Sequence, residues 1–511
     1  MAAHNRIVLV NVNVLTMDPG NPEGDAIAWK DRLITAVGRE RKVLKEAYGA
    51  KQLDGGGRTV VPGFIDCHSH FLDMGVWGGR MNLSQAKSAS EMLDAVGKRA
   101  RETKAGQWVL GRGWDESKWV DTKYITRKDL DAVAQQNPVL LVRVCGHMCA
   151  VNSKALTLLE GKVGKHGMDR NTGLLTEKAM ERSLEAARPS FEEMMAGLER
   201  STVQAHRLGV TSVHDIIDRH NLMAYSAIYG RRELGMRACL HFEEGDMRDM
   251  ARLGIKTGYG NHFLRAGGIK LYADGSFGAR TAALTQPYSD DTRTKGELLH
   301  DNNRLRANIR TCERTGLQVL VHAIGDAAVK QTLTAFAFAQ MKPTRLRHRV
   351  EHLELVDKKG LDIMDRLSLW ASMQPNFVGE WGMPGGMMQS RLGKRYEHAD
   401  PMRRVLDAGV PLVFGSDCMP FSPLYGIHCA VNAPFQDQKL DVGEALAAYT
   451  ATAAGASFEE DFKGTLATGT AADMVLLSGD PMRKPSGISM LKVDATILAG
   501  RTVWRNRGAP L

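Results

Sequence analysis

The sequence predicts an α/β protein with three parts: a TIM (β/α)8 barrel, a small β-sandwich domain built from both termini, and an inserted α+β subdomain. Two observations support this prediction. Short apolar runs alternate with longer amphipathic stretches through the middle of the 511 residues, as βα units do. Both ends instead carry short strand-like runs separated by Gly, Pro and Asp turns.

Eight apolar runs are candidates for barrel strands, the number that a TIM barrel requires. They lie at 60–66, 210–215, 237–242, 268–273, 318–322, 347–352, 369–374 and 411–416. A helix between the first two runs is predicted by Ser190 and Glu193, which form a capping-box pattern, and by Gly209, which marks the end of that helix.

The distance between the first two runs predicts the insertion. About 140 residues separate them, whereas a βα unit takes about 30. We therefore assign 1–60 with 465–511 to the β-sandwich, 61–74 with 189–464 to the barrel, and 75–188 to the insertion. Because the insertion follows the carboxyl end of a barrel strand, we expect it to overhang the active site and shape the substrate pocket.

Composition narrows the class of partner. The formal net charge is +9, but Lys and Arg are dispersed, which favours a solvated basic surface over nucleic-acid binding. The sequence lacks an apolar stretch of about 18 residues and a secretory signal pattern, so we expect a cytoplasmic protein without membrane contact. Seven sparse cysteines fit reduced thiols. A small molecule is the expected substrate, and a homo-oligomer remains open.

The strongest local signal is a pair of histidines that follows an apolar run. His68 and His70 end the segment Val-Pro-Gly-Phe-Ile-Asp-Cys-His-Ser-His at 61–70. Because side chains alternate in an extended segment, both imidazoles point to the same side and could bind one metal ion. Two unrelated surface histidines would be the simpler interpretation if the motif stood alone.

Three further candidate ligands also end strand candidates. His322, His352 and Asp417 follow the fifth, sixth and eighth apolar runs. Catalytic groups of barrel enzymes lie at the carboxyl ends of the strands, so these side chains should converge with the histidine pair. Chance placement of ligands at four strand ends is improbable.

Lys270 lies within the fourth strand candidate, where an unpaired ammonium would carry a large desolvation penalty. Deprotonation would relieve the penalty, and so would reaction with CO2 to give a carbamate, an anionic ligand able to bridge two metal ions. A simpler alternative is an ion pair with a neighbouring carboxylate such as Asp274.

This ligand set indicates hydrolysis. Imidazole and carboxylate ligands suit zinc or a similar divalent ion, and the site could hold one or two such ions. A bound ion polarises a carbonyl and lowers the pKa of water towards about 7. Asp417 is the candidate general base, because it could take the proton from the attacking water and pass it to the leaving nitrogen.

The motifs together resemble the amidohydrolase superfamily, and within it the amidohydrolase-3 branch of YtcJ-like proteins, which includes N-substituted formamide deformylases. The resemblance runs nearly end to end. Besides the segment at 62–70, it rests on the motifs at 111–115, 146–152, 269–276, 321–328, 351–352, 415–417 and 469–475.

The resemblance implies a metal-dependent enzyme that acts on carbon–nitrogen bonds other than peptide bonds. It implies metal ligands at His68, His70, Lys270, His322, His352 and Asp417, with Lys270 carboxylated in a two-metal site. It also suggests a lid-like insertion in which Trp114, Asp115 and His147 are candidate substrate contacts, although Trp114 could equally belong to the core of the insertion.

Two other functions stay open from sequence. A deaminase of a cyclic amidine would use the same fold, but such enzymes commonly need one metal ion and no carboxylated lysine, so Lys270 favours amide or N-formyl hydrolysis. A catalytically silent scaffold would be marked by missing ligands, and every expected ligand type is present.

Overall fold

The computed structural model describes residues 6–119, 124–144, 148–163, 167–339 and 344–509, without the side chains of 177, 178 and 181. These residues divide into two compact units, one formed by 72–201 and the other by the rest of the described chain. The insertion predicted at 75–188 lies within the first of these units. No helix in the described ranges is both long and apolar enough to cross a membrane.

An eight-stranded parallel sheet forms the predicted barrel, which is confirmed. Its strands, each hydrogen-bonded to the next, are Phe64–Ser69, Val210–Ile217, Arg237–Glu243, Leu264–Tyr272, Gln318–Ala323, Arg349–His352, Trp370–Met373 and Leu412–Phe414. Because all eight run the same way, their carboxyl ends meet at one end of the barrel, where the side chains that follow them can converge.

The prediction for the first barrel strand was wrong at its boundary. The apolar run at 60–66 contains the end of one strand, Lys51–Pro62, and the beginning of the next, Phe64–Ser69. Gly63 separates them at a close approach, since a Cβ there would lie 2.2 Å from Thr211 Oγ1. The continuous apolar run therefore does not show in the sequence where the chain leaves one sheet and enters the other.

Strands from both ends of the chain form a single seven-stranded sheet, which we call the terminal sheet. In spatial order the strands are Arg501–Arg505, Val493–Leu498, Met474–Leu477, Lys51–Pro62, Arg6–Leu15, Glu23–Lys30 and Leu33–Gly38. The sheet folds back on itself, because the Trp29 indole N–H donates to the Gly500 carbonyl at 3.0 Å and the Ile34 N–H donates to the Thr470 carbonyl at 2.9 Å. One apolar core lies inside this fold and draws on both ends of the chain.

The insertion has its own mixed sheet of six strands. They are Met168–Asp169, Leu174–Thr176, Met148–Val151, Val139–Arg143, Val109–Trp114 and Met81–Asn82, in spatial order. Apolar clusters lie on both of its faces, one built around Trp114 and Leu141 and the other around Leu140 and Leu156.

Helices connect the strands of both units. The α-helices are Glu40–Glu46, Phe71–Gly78, Ala89–Glu102, Arg127–Val133, Ser153–Leu159, Glu177–Ala186, Phe191–Arg207, Arg219–Gly230, Met247–Arg252, Asn302–Thr315, Asp326–Ala339, Lys358–Leu367, Pro375–Phe377, Met387–Leu392, Met402–Asp407, Pro423–Val431, Val442–Ala448 and Ala451–Ala456. Short 3-10 helices span Glu116–Lys118, Glu244–Asp246, Gly393–His398 and Pro485–Met490, and a π-helix spans Val378–Gly382. The predicted capping box is confirmed, because Ser190 N–H donates to Glu193 Oε2 at 2.8 Å and Glu193 N–H donates to Ser190 Oγ at 3.2 Å.

Glu459 is a buried carboxylate that holds three cationic or polar groups. Its oxygens lie 2.8 Å from Lys463 Nζ, 2.9 Å from Arg265 Nη1 and 3.0 Å from His262 Nδ1. Burial alone would raise the pKa of Glu459, but the charges of Lys463 and Arg265 outweigh it and lower the pKa to about 2. Ionised Glu459 therefore stabilises the folded state.

Replacing Glu459 with Gln should lower the free energy of unfolding at pH 7 by about 3 kcal/mol, because the carboxylate pKa falls from 4.5 to about 2 on folding. A depressed pKa stabilises above the unfolded value, so the difference from wild type should shrink as the pH falls from about 4.5 towards 2. Denaturant unfolding at pH 7 and pH 3 measures the loss of stability and its decrease at low pH. As a control, Glu460→Gln breaks the half-exposed pair with Arg347 and should cost less than about 1 kcal/mol. Equal losses for the two variants would contradict the prediction.

Candidate metal centre

Backbone contacts hold the carboxyl ends of the first and eighth barrel strands together. The Asp66 carboxylate accepts from the N–H groups of His68 and Ser416, at 3.1 and 3.0 Å. The Asp417 N–H donates to the His68 carbonyl at 2.8 Å. Gly415 permits this approach, since a Cβ there would lie 2.3 Å from the His68 nitrogen. Residues about 350 positions apart are thereby placed side by side.

Four of the predicted ligands meet at this point. Asp417 Oδ1 lies 3.4 Å from His70 Nε2 and 3.7 Å from His68 Nε2. Lys270 Nζ, from the fourth strand, lies 3.3 Å from His68 Nε2. Two ligand atoms at about 2.1 Å from one metal ion can be at most about 4.2 Å apart, so the distances from Asp417 to the two histidines fit a shared ion.

His322 and His352 complete the cluster from the fifth and sixth strands. The ring centroid of His352 lies 4.4 Å from that of His322 and 4.8 Å from that of His68. His322 Nε2 donates to the Gly275 carbonyl at 3.0 Å, which leaves Nδ1 free to bind a metal ion. His352 Nδ1 is buried without a hydrogen-bond partner among the described residues, a state that a bound ion would relieve. The residues present therefore fit a metal site.

Two charged residues that sequence reasoning missed orient His68. The Glu351 carboxylate contacts His68 Nδ1 and accepts from Arg349 Nε at 2.7 Å and Nη2 at 3.0 Å. Both side chains are fully buried. A carboxylate on Nδ1 fixes the tautomer that leaves Nε2 for a metal ion. The sequence contained a signal for this role. In a strand, positions 349 and 351 share a face, and charged side chains inside a barrel need polar partners there.

His352 follows Glu351 directly, yet both side chains belong to the cluster. Consecutive residues of a strand point to opposite faces. At His352 the backbone leaves the extended region, with φ of +69°. This local departure from strand geometry explains how the Glu-His pair supplies both a metal-ligand candidate and the group that orients another one.

Burial keeps the histidines of the cluster neutral, the form that binds metal ions. It lowers the pKa of His322 to about 3, and the pKa values of His68 and His352 also fall; the pKa of His70 falls as well, although 37% of that side chain is exposed. Burial likewise lowers the pKa of Lys270 to about 8. It raises the pKa of Asp417 to about 7.

Asp274 does not pair with Lys270. Its carboxylate accepts the backbone N–H groups of Ala283, Ile324 and Gly325 at 2.8–3.0 Å. Within the described ranges, no ion pair joins Lys270 to Asp274. The pair with Asp274 therefore has no support, although the charges of Glu351, Asp417 and Glu243 act on Lys270, and Asp274 instead organises the loops after the fourth and fifth strands.

A second group, His214, Cys239 and His241, also brings three possible ligand atoms within 4.8 Å of one another. It lies inside the barrel and is buried. Arg349 Nη1 donates to His214 Nδ1 at 3.0 Å, so a neutral His214 carries its proton on Nε2 and has no free lone pair for a metal ion. We therefore assign no metal site to this group.

The candidate substrate contacts in the insertion have different positions. Trp114 is fully buried in an apolar cluster, and its indole N–H donates to the Leu141 carbonyl at 3.2 Å, as expected of a core residue. Asp115 caps a 3-10 helix through the Ser117 N–H. His147 lies outside the described residues.

A cluster of histidines, a lysine and an aspartate at the carboxyl end of a (β/α)8 barrel is typical of metal-dependent hydrolases. Comparison with known proteins gives the family. The amidohydrolase family model matches residues 52–504, and the chain belongs to that family.

Individual relatives identify the branch as the YtcJ-like one. The chain is 30% identical over 96% of its length to YtcJ of Bacillus subtilis, named as an amidohydrolase, and covers 98% of that protein. It is 26% identical to the N-substituted formamide deformylase of Arthrobacter pascens, covering 98% of this chain and 99% of the relative. A crystal structure of an uncharacterised metal-dependent hydrolase from Pyrococcus furiosus superposes with a TM-score of 0.83 at 28% identity, over 93% of this chain and all of the other. The chain is thus a hydrolytic enzyme that acts on carbon–nitrogen bonds.

Proposed function

We propose that this enzyme hydrolyses an amide or N-formyl bond of a small molecule, with Asp417 as general base. The observation that carries the proposal is the convergence of six side chains from five strand ends: His68, His70, Lys270, His322, His352 and Asp417. The resemblance to a formamide deformylase supports the N-formyl class of substrate.

These six side chains would hold one or two divalent ions, with zinc favoured because imidazole and carboxylate ligands suit it. When bound, the metal supplies Lewis-acid polarisation of the scissile carbonyl and makes water easier to deprotonate. Asp417 takes the proton from the attacking water and delivers it to the leaving nitrogen, which needs that proton to depart as an amine.

Lys270 would act as a carbamate. Burial lowers the pKa of Lys270 to about 8, so part of the population is a neutral amine near pH 7. Its nitrogen attacks the carbon of CO2, one proton is released to solvent, and a singly charged carbamate results. That charge suits a position among neutral imidazoles where metal cations bind.

Metal analysis of the purified protein, combined with a hydrolysis screen, tests the proposal. The protein should be grown with zinc and bicarbonate, and N-formyl, N-acyl and cyclic amides should be offered as substrates. We expect one or two equivalents of metal and release of an amine with a carboxylic acid. Ammonia release from a cyclic amidine without any amide cleavage would contradict the proposal in favour of a deaminase.

Replacing Glu351 with Gln should weaken metal binding about 10- to 100-fold, because Gln cannot hold both His68 and Arg349 as a carboxylate does. Competition with a chelator measures the affinity. Asp473→Asn is the matched control, since Asp473 forms another buried bidentate pair, with Arg237. Both variants should lose stability, but Asp473→Asn should keep its metal affinity. An equal loss of affinity in both would show that Glu351 acts only on stability.

A further inference from the structure

A cavity of about 770 Å³ lies far from the carboxyl ends of the barrel strands. Arg237, which lines it, is the first residue of the third strand, and Phe263 directly precedes the fourth. The metal-centre residues lie at or beyond the opposite ends of their strands. The proposed reaction therefore makes no use of this cavity.

The wall of the cavity is largely aromatic and apolar. The His262 ring stacks on Phe462 with centroids 3.6 Å apart, and the Arg237 guanidinium lies 4.6 Å from the Phe263 centroid and 4.9 Å from that of Phe462. Leu33, on the rim, keeps 43% of its surface exposed. Cavities of about 300–1,000 Å³ with such walls are typical of small-molecule sites.

The charges at the cavity do not balance. Arg237 is neutralised by Asp473 at 2.6 Å, and His262 is bonded to Glu459. Arg32 and Arg232 also line the cavity and are exposed, and neither forms an ion pair with any described residue. Arg232 has a φ of +61°, a conformation that side chains other than Gly and Asn rarely adopt. The cavity therefore presents two solvent-exposed guanidinium groups that have no carboxylate partner among the described residues, one of which, Arg32, lies 6.0 Å from the Phe263 centroid.

We propose that this cavity binds a small amphipathic anion with a planar apolar body and one carboxylate, sulfonate or phosphate group. The body packs against Phe263 and Phe462, and the anionic group pairs with Arg32 and Arg232. Guanidinium groups suit this role because they bind planar anions bidentately and also stack on aromatic surfaces. The site is separate from the metal centre and does not depend on the proposed reaction.

Fluorescence titration of the metal-loaded enzyme with 8-anilinonaphthalene-1-sulfonate tests the proposal. We expect one saturable site in the wild type. Arg32→Gln combined with Arg232→Gln should weaken binding about tenfold or more, since charge-assisted hydrogen bonds are lost. Leu33→Glu should also weaken it, because a carboxylate would face the anion. N-phenyl-1-naphthylamine, the same body without the sulfonate, should bind about tenfold more weakly.

Lys98→Gln combined with Arg101→Gln is the matched control. Both residues are exposed on helix Ala89–Glu102 and do not line the cavity. Their substitution removes two positive charges, as the cavity variant does. This control should bind the probe as the wild type does, and thermal unfolding should show that all variants fold. Equal binding by the cavity and control variants, or no saturable binding by the wild type, would overturn the proposal. A dimer that dissociates in the Arg32 and Arg232 variant and excludes the probe would also overturn it, in favour of an interface between copies.

Discussion

Replacing Lys270 with Ala is expected to remove the bound metal and to reduce turnover about 10³-fold or more. The reason is that the variant loses the proposed bridging carbamate, and a metal ion contributes several kcal/mol to stabilising the transition state. Metal content, measured on protein grown with zinc and bicarbonate, is the primary readout. Propionate added to the variant should restore part of both quantities, because its carboxylate can stand in for the carbamate.

Lys463→Ala is the matched control for this experiment. Lys463 is also a buried lysine, 3% exposed against 1% for Lys270, but it pairs with Glu459 and contacts Ser212. The control should lose stability and keep its metal. If Lys270→Ala retained full metal content and activity, Lys270 would not be a ligand, and a single ion held by His68, His70, His322 and Asp417 would be the better description.

Asp417→Asn is expected to leave most of the metal in place and to lower kcat about 10²- to 10⁴-fold, the usual contribution of a general base. The backbone N–H of residue 417 still bonds to the His68 carbonyl in this variant, so the loop should keep its position. An amide lacks the basic oxygen that accepts the proton from water.

The distinction between ligand and base rests on measuring kcat and metal content together. Loss of metal in proportion to activity would show that Asp417 serves mainly as a ligand. Wild-type kcat with full metal content would assign the base to another residue. Asp66→Asn helps to separate these cases, because Asp66 hydrogen-bonds to the backbone N–H groups of His68 and Ser416 and to the Ser416 side chain, and its loss should affect stability more than the rate.

The barrel and the ligand candidates could be named from sequence because both depend on local pattern. A strand is an apolar run, and His322 or Asp417 stands just after one. A parallel barrel then brings all strand ends together, so position along the chain predicts proximity in space. The structure does bring these side chains together.

Other features depend on contacts that no local pattern records. The role of Glu351 follows from His68, which lies 283 positions away on another strand. The passage from the terminal sheet to the barrel at Gly63 lies inside a continuous apolar run. The hydrophobic periodicity of a segment does not depend on which residue pairs with its buried charge, or on which sheet the segment joins. Neither feature could therefore be predicted from that periodicity.

The contacts between distant parts of the chain have a consequence for the order of folding. Asp66 bonds to Ser416 across 350 positions, and Trp29 bonds to Gly500 across 471. Closing loops of this length is entropically costly and slows folding. During synthesis, the first histidines emerge hundreds of residues before the aspartate that completes their site. The proposed metal centre therefore cannot form until Asp417 has been synthesised, and metal loading should follow that step.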